Sequence, residues 1–309
     1  MTPLFDRRLI FVTGKGGVGK STVSIVLGLL AARRGLRTIV AELQNQERAQ
    51  QTFDRHAGPF HELELAPRLF TISIDPQLAM EEYLRVKAGP LGPALGASRL
   101  FHAFAMATPG MRELLSIGKV WELAQLQRRT RGSAPYDLVI VDAPATGHGV
   151  GLLRTPKTFA DIARVGPIAN QGRQIAAMIY DRALTAVVAV ATPEEIPVNE
   201  TLSLREALEQ EKLELELVIA NAVYPMRFDA GQLDTLDHAL EHAREPLARA
   251  AVRAALSEHA RSETQREQLE RLRTGLNLNG RVVELPFVFA ESFDRARLER
   301  LADLLEAQL

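Results

Sequence analysis

The sequence predicts an α/β protein whose sheet is doubly wound and mostly parallel. Short apolar runs, which are typical of buried strands, alternate along the 309 residues with longer stretches of helical periodicity. The first apolar run leads directly into a glycine-rich turn and then into a helix. No internal repeat or low-complexity tract interrupts this alternation. We therefore expect one sheet with helices on both faces and a ligand site at the carboxyl ends of its strands.

The composition is that of a soluble globular protein. Hydrophobic residues make up 46% of the chain and charged residues 24%. The net charge of −1 provides no overall basic field, so we expect no nucleic-acid partner. The absence of cysteine excludes disulfides, thiolate metal sites and cysteine nucleophiles, and it fits a cytoplasmic location. The start lacks the layout of a signal peptide, and no apolar run approaches the ~18 residues of a membrane span, so we expect no direct membrane insertion.

The first predicted strand, residues 9–12, ends at a loop that matches the phosphate-binding pattern G-x-x-x-x-G-K-[ST]. Gly14 and Gly19 occupy its glycine positions, and Lys20 and Ser21 follow. Such a loop turns its N–H groups towards an anion, and the positive end of the next helix points to the same place. We expect Lys20 to reach the β- and γ-phosphates and Ser21 to offer its hydroxyl to Mg²⁺. The residues expected around the nucleotide phosphates are Gly16, Gly17, Val18, Gly19, Lys20, Ser21 and Thr22.

Lys15 directly follows the first glycine of this loop. It is either a solvated lysine at a loop tip or a second cation aimed at a phosphate that another subunit holds. The run Gly-Lys-Gly-Gly-Val-Gly-Lys-Ser-Thr resembles the deviant Walker A loop of the MinD/ParA, nitrogenase iron protein and arsenite-pump ATPase superfamily. The resemblance implies a homodimer that depends on ATP, in which Lys15 contacts the nucleotide of the partner subunit.

The remaining elements follow in order. The first helix has one apolar face and ends before Gly35, a residue typical of C-caps. Short runs rich in valine, isoleucine and leucine predict the later strands. The predicted strands cover 9–12, 37–43, 69–75, 136–144, 185–191, 215–221 and 281–288. The predicted helices cover 20–34, 80–86, 111–128, 157–181 with a break near 166–167, 228–275 and 292–309.

Glu42 ends the second predicted strand, on the edge where open α/β sheets bind ligands. In the arsenite-pump and tail-anchored-protein-targeting ATPases this place has Asp-Pro-Ala-His, whose aspartate positions the attacking water. Here Glu42 is followed by Leu43, Gln44 and Asn45, so only a carboxylate remains, on a longer arm. Glu42 orients the water, or Gln44 or Asn45 does so by hydrogen bonding, or Glu42 is an ordinary carboxylate at a strand end. This departure from the family pattern predicts slow hydrolysis, or none without a partner.

The segment between the second and fourth strands contains apolar residues at helical spacing. They include Leu100, Phe101, Phe104 and Met106, between a Gly-Pro break at 89–93 and the helix at 111–128. Apolar stripes at this spacing are typical of core packing in a helical layer. The alternative is a groove for an apolar client, which the resemblance places in a helical subdomain.

Asp142 follows four apolar residues at the end of the fourth predicted strand, which is the Walker B pattern. A carboxylate there holds a water on Mg²⁺ and senses the γ-phosphate. The run 142–148 and the Leu-Leu-Arg at 152–154 resemble the Asp-Thr-Ala-Pro-Thr-Gly-His…Leu-Arg-Leu-Leu signature of the arsenite-pump and tail-anchored-targeting ATPases. One residue is missing before Pro144, and Ala145 is inserted after it. The resemblance implies a switch that transmits the nucleotide state to the helical subdomain.

Asn221 and Pro286 are candidate contacts for the adenine base. The amide of Asn221 offers the acceptor and donor that the edge of adenine requires, and related ATPases use an asparagine here. The alternative is an asparagine that forms a turn. Pro286 matches a proline that flanks adenine after the last strand in this superfamily. Glu194 resembles a glutamate that faces the partner's nucleotide, and it also suits a helix N-terminus.

Taken together, these patterns identify the chain as a member of the ArsA-type ATPase family and imply a single domain, 1–309. Its core would cover about 1–57, 132–222 and 278–309, and an inserted helical subdomain about 76–131 and 223–277. The expected cofactors are ATP and Mg²⁺. The catalytic candidates are Lys15, Lys20, Glu42 and Asp142, and the metal candidates are Ser21 and, through a water, Asp142.

The resemblance leaves the cellular role open. Dimer closure driven by ATP would be coupled to a protein client or partner through the helical subdomain. The alternative is a nucleotide switch or scaffold with little or no turnover. The dimer would contain two copies of this chain or one copy with a paralogue. Arsenite binding is not supported, because it rests on cysteines in the family and this chain has none.

Overall fold

The computed structural model describes residues 3–43, 47–87, 108–128, 133–163, 166–276, 281–290 and 293–309. The strands are β1 Leu9–Thr13, β2 Thr38–Glu42, β3 Leu63–Ala66, β4 Leu69–Ser73, β5 Leu138–Asp142, β6 Thr185–Ala191, β7 Leu215–Val223 and β8 Val282–Pro286. The α-helices in these ranges are α1 Lys20–Arg33, α2 Arg48–Thr52, α3 Pro76–Lys87, α4 Met111–Leu123, α5 Thr146–Ala163, α6 Pro167–Tyr180, α7 Glu195–Gln210, α8 Ala230–His242, α9 Pro246–Leu276 and α10 Arg295–Glu306. Several sequence-based interpretations lie outside the described residues, namely those for Gln44, Asn45, the break at 89–93, Leu100, Phe101, Phe104 and Met106.

Eight strands form one sheet in the order β3-β4-β2-β5-β1-β6-β7-β8. All neighbours pair in parallel except β3, which runs antiparallel to β4 at one edge. β1 lies in the interior between β5 and β6, so the glycine-rich loop leaves the sheet near its centre. The predicted doubly wound, mostly parallel α/β fold is confirmed.

The core has one layer on each face of the sheet, and side chains along β1 alternate between them. Leu9 and Phe11 pack into the layer that includes α4, α5, α6, α7 and α9. Ile10 and Val12 pack into the layer that includes α1 and α10. All four side chains are almost completely buried, as expected for a central parallel strand. This rigid centre fixes the position of the loop that follows β1.

The structure differs from the prediction in several elements. The sequence analysis did not predict β3 or α2, and α4 ends at Leu123 rather than at 128. Residues 228–275 form the two helices α8 and α9 rather than one. α5 begins at Thr146, not at 157, and contains Pro156. Proline and the glycines before it are poor helix formers, so tertiary packing overrides local propensity here. That packing is close, because a Cβ on Gly172 of α6 would lie 2.7 Å from the carbonyl oxygen of Pro156.

A buried ion network connects the helical layer to the edge of the sheet. Lys119 of α4 lies 2.8 Å from Glu82 of α3 and 3.1 Å from Glu122. Arg128 continues the network, with contacts of 2.9 Å to Glu122 and 2.6 Å to Glu62 beside β3. Because only 4% of the Lys119 side chain and 1% of the Arg128 side chain are exposed, each cation depends on these carboxylates. The network therefore fixes how α3 and α4 sit on the sheet.

Gly149 of α5 lies against the end of β1, so we expect its replacement by alanine to destabilise the fold. A Cβ on Gly149 would lie 2.5 Å from Thr13 Oγ1, which forces α5 or β1 to move. We expect Gly149→Ala to be less stable than Gly151→Ala by about 1–3 kcal/mol, the usual cost of overpacking. Gly151 is the matched control in the same helix, because a Cβ there meets nothing within 4 Å. Urea denaturation measures the difference, and equal stability of the two variants would contradict this close approach.

Candidate nucleotide site

The glycine-rich loop between β1 and α1 is held in shape by a long-range contact. Gly19 has a φ of 92°, in the left-handed region that favours glycine. A Cβ on Gly19 would lie 2.3 Å from Asn221 Nδ2. That amide donates a hydrogen bond of 2.9 Å to the carbonyl oxygen of Val18. The end of β7 thus supports the loop from behind.

Sheet register brings the two candidate carboxylates together. In the parallel pairing of β2 with β5, Glu42 is the direct partner of Asp142. On the other side of β5, Asp142 is the partner of Val12 in β1, immediately before the loop begins. Both acids therefore lie at the carboxyl edge of the sheet beside the loop, where open α/β sheets bind ligands.

Ser21 and Asp142, both predicted near Mg²⁺, are in direct contact. The hydroxyl of Ser21 donates a hydrogen bond of 2.6 Å to Asp142 Oδ2. Burial raises the pKa of Asp142, while this hydrogen bond and the charges of Lys20 and Arg48 act in the opposite direction. The contact joins the start of α1 to the end of β5.

Lys20 bends over the loop. Its Nζ donates a hydrogen bond of 2.9 Å to the carbonyl oxygen of Lys15. Burial lowers the pKa of Lys20, and the charge of Arg48 acts in the same direction, whereas Asp142 opposes them. The ammonium of Lys20 is partly buried and donates to a neutral carbonyl, so it is well placed to bind an anion instead.

Glu42 is buried, and its carboxylate accepts hydrogen bonds from neighbouring groups. Oε1 accepts hydrogen bonds from the backbone N–H groups of Arg48 (2.9 Å) and Ala49 (3.3 Å), at the start of α2. Oε2 lies 3.5 Å from the hydroxyl of Thr71. Burial and the charge of Asp142 raise the pKa of Glu42 to about 7. Glu42 can therefore gain or lose a proton near neutral pH.

These groups surround one cavity of about 210 Å³. Its lining residues are Gly16, Gly17, Gly19, Lys20, Ser21, Glu42, Arg48, Asp142, Ala143 and Ala145. The sequence analysis missed Arg48, whose charge acts on both Lys20 and Asp142. A cation at the first position of α2 gives no local signal, because its role depends on the sheet register that places Glu42 and Asp142 beside it. The lining does not include Lys15, Val18, Thr22, Asn221 or Pro286.

Lys15 forms an ion pair with a residue of another helix. Its Nζ lies 3.0 Å from Glu200 Oε1 of α7, and the two side chains are 33% and 37% exposed. An ion pair this exposed contributes about 0–1 kcal/mol, so it breaks readily when a better partner is available.

An aromatic cluster lies beside the candidate adenine residues Asn221 and Pro286. Tyr224, three residues after Asn221, stacks on Phe287 with ring centroids 4.6 Å apart. Phe289 packs edge-on against both rings and is 53% exposed. The sequence analysis missed this cluster, although Tyr224 follows the predicted strand 215–221 and Phe287 and Phe289 lie at the end of the predicted strand 281–288.

Comparisons with known proteins show which family the chain resembles. A family model described as an anion-transporting ATPase matches residues 7–171 and 162–241. The ATPase BagA of Mycobacterium tuberculosis is 34% identical over 235 residues, 73% of this chain and 68% of that protein. The ATPase get3 of Sclerotinia sclerotiorum is 25% identical over 342 residues, 96% of this chain and 89% of that protein. An ATPase ASNA1 homolog of Entamoeba dispar is 24% identical over 261 residues, 70% of this chain and 76% of that protein.

Within the described part of the chain, every helix falls short of the length or the apolar character that crossing a bilayer requires.

The raised pKa of Glu42 predicts that stability declines as the pH rises. The folded chain holds the Glu42 proton up to about pH 7, whereas the unfolded chain releases it near 4.5. This contribution to stability is complete below about pH 4.5 and is lost as the pH rises through 7, by about 3 kcal/mol in total. Glu42→Gln keeps the acceptor for α2 but cannot ionise, so its stability should decline less between about pH 5 and pH 8.

Urea denaturation at both pH values, without nucleotide or Mg²⁺, measures this effect. Glu64→Gln is the matched control, because Glu64 is an exposed glutamate on β3 and should leave the pH dependence unchanged. The same decline in the wild type and in Glu42→Gln would show that burial of Glu42 does not disfavour its ionised form.

Proposed function

The chain belongs to the anion-transporting ATPase (ArsA) family, and from this premise we propose that it binds Mg-ATP in the cavity beside the glycine-rich loop and hydrolyses it there. The observation that carries the proposal is the contact of Ser21 with Asp142 in a cavity that Lys20 and Glu42 also line. The family match spans the loop and both carboxylates.

The donor set fits Mg²⁺. A serine hydroxyl and a carboxylate oxygen 2.6 Å apart are hard oxygen ligands, which Mg²⁺ prefers. We propose that Ser21 binds the metal directly and that Asp142 holds one of its waters. When bound, Mg²⁺ would neutralise phosphate charge. The raised pKa of Asp142 supports this assignment, because a nearby cation relieves the cost of a buried negative charge.

We propose that the loop amides and two cations bind the phosphates. Lys20 would exchange the carbonyl oxygen of Lys15 for a phosphate oxygen, which is a stronger acceptor because it is charged. Arg48 lines the same cavity and would add a second positive charge from the start of α2. Asn221 keeps one amide hydrogen and its carbonyl oxygen for the edge of adenine, because only one hydrogen is needed for Val18. Pro286 and the aromatic cluster would flank the base.

Glu42 is the proposed water-positioning group. A carboxyl group with a pKa of about 7 has the affinity for protons that a general base requires near neutral pH. To hold water it must release an oxygen from the N–H groups of Arg48 and Ala49.

A second candidate function follows from this contact. If Glu42 stays bound to α2, the chain is a nucleotide switch or scaffold with little turnover.

We propose that Lys15 acts across a dimer of two copies of this chain. Exchange of the exposed Glu200 carboxylate for a partner's phosphate costs little, because the ion pair is weak. ATP would therefore favour the closed dimer by offering Lys15 a more highly charged partner. A paralogue with a lysine at the same position would fill the same role.

A groove on the helical layer supports a client-binding role. It measures about 200 Å³ and lies between α3, α4 and α6. Met80, Leu84, Met111, Leu115 and Ile175 are among its apolar lining residues. Methionines adapt their shape to different apolar partners. We propose that an apolar segment of a client protein binds here, and that the buried ion network at Lys119 carries movement between this groove and the sheet.

ATP turnover by purified variants tests the nucleotide site. We expect Lys20→Ala and Asp142→Asn to lower kcat at least about 100-fold, because each removes charge stabilisation at the phosphates or metal. Glu64→Ala should retain wild-type activity, since this exposed glutamate lies outside the cavity. Glu42→Ala distinguishes the two candidate functions. If Glu42 positions the attacking water, this variant loses ATP turnover. If the chain is a switch, the turnover of this variant equals that of the wild type. Full activity in Lys20→Ala would refute the site itself.

Binding of an apolar helical peptide tests the groove. Fluorescence anisotropy of a labelled leucine-rich peptide, measured with ATP present, should show binding to the wild type. We expect Leu115→Glu to weaken it at least about tenfold, because a charge would have to be buried at the interface. Leu126→Glu is the control, since Leu126 is 73% exposed and does not line the groove. Equal binding by both variants would place the client elsewhere.

A further inference from the structure

Three side chains able to bind metal ions share one face of α8. His238, Glu241 and His242 stand at positions i, i+3 and i+4, the spacing that aligns side chains on a helix. One ligand atom from each residue lies within 4.8 Å of the other two. None of them lines the nucleotide cavity. We propose that this triad is a binding site for a divalent transition metal ion such as Zn²⁺.

The ring of His242 is already oriented for metal binding. Its Nδ1 lies 2.8 Å from the backbone carbonyl oxygen of His238. A carbonyl only accepts hydrogen bonds, so the proton must be on Nδ1, and the lone pair of Nε2 is left for a ligand. Metal-binding histidines commonly donate their second ring nitrogen in this way. The contact therefore selects the tautomer that coordinates through Nε2.

The distances are compatible with one shared ion. Ligand atoms around a tetrahedral zinc lie about 3.3 Å apart, given zinc–ligand bonds of about 2.0–2.2 Å. Small side-chain movements would close the triad from 4.8 Å, and all three residues are exposed. The rings of His238 and His242 already lie side by side, with centroids 5.6 Å apart.

The local electrostatics favour a cation. Glu241 and His242 are in the last turn of α8, where the helix dipole is negative. Within the described ranges, no ion pair involves Glu241, so its charge is available to a metal. Imidazole and carboxylate together suit Zn²⁺ and its neighbours in the first transition row better than they suit Mg²⁺.

The exposure of the triad limits what the site does. All three residues are exposed, so water would complete the coordination. The triad is therefore a binding site and not a second catalytic centre. α8 buries none of its residues completely, so a metal that links two successive turns would stabilise its C-terminal end.

Isothermal titration of full-length, tag-free protein with Zn²⁺ tests the proposal. Millimolar Mg²⁺ in the buffer keeps the oxygen ligands of the nucleotide site occupied without competing for imidazole. We expect one zinc per chain, with a dissociation constant on the order of micromolar. His238→Ala and His242→Ala should each weaken binding at least about tenfold. Neither substitution threatens folding, because both residues are exposed and alanine favours helix.

His61→Ala is the matched control. His61 is also exposed, and its Nδ1 also contacts a nearby carbonyl oxygen, that of Pro59 at 3.0 Å. It has no second histidine one turn away, so its loss should leave zinc affinity unchanged. Replacing Zn²⁺ with Co²⁺ adds a visible absorption band that should disappear in the two α8 variants only. Absence of binding in the wild type, or wild-type zinc affinity in His238→Ala and His242→Ala, would overturn the proposal.

Discussion

Two carboxylates end neighbouring parallel strands at the same level, and their shared burial is the constraint on which the site depends. The register of β2 and β5 fixes Glu42 beside Asp142, and burial together with their mutual repulsion raises the pKa of Glu42. Each acid must then find hydrogen-bond donors. Asp142 accepts a hydrogen bond from the hydroxyl of Ser21, and Glu42 accepts hydrogen bonds from the first N–H groups of α2. The loop, α1 and α2 are thus connected through two acidic side chains.

This arrangement separates a rigid part of the site from a part that can change. β1 is buried on both faces, and Asn221 supports the loop from the end of β7. By contrast, the ion pair of Lys15 with Glu200 is about one-third exposed, and the cap formed by Glu42 involves a helix of five residues. In the proposed function, a bound nucleotide would offer Lys15 a phosphate in place of Glu200, and Glu42 would release the N–H groups of α2 to hold a water. The ion pair of Lys15 and the cap formed by Glu42 are therefore the contacts that the proposed function requires to change.

How much could be predicted from the sequence depends on how local each signal is. The loop from Gly14 to Ser21 and the Walker B strand before Asp142 have their signals within a few residues. Both elements were therefore predicted, together with the site residues that they carry. β3 was missed, because a short edge strand depends on its neighbour β4. The early start of α5 was missed because Pro156 locally disfavours helix, while packing against α6 stabilises it. Arg48 was missed because α2 was not predicted. Glu200, the partner of Lys15, was missed because it is distant from Lys15 in the sequence.

The central claim is that Lys20 acts within its own subunit while Lys15 acts on the nucleotide of the other. Mixing equal amounts of Lys20→Ala and Lys15→Ala chains tests this claim directly. The quantity measured is ATP turnover per total chain. Each variant alone should be inactive. In the mixture, half of the dimers would be mixed, and one of their two sites would have both lysines, so activity should return to about a quarter of the wild-type value. A mixture as inactive as its components would contradict a lysine that acts across the dimer.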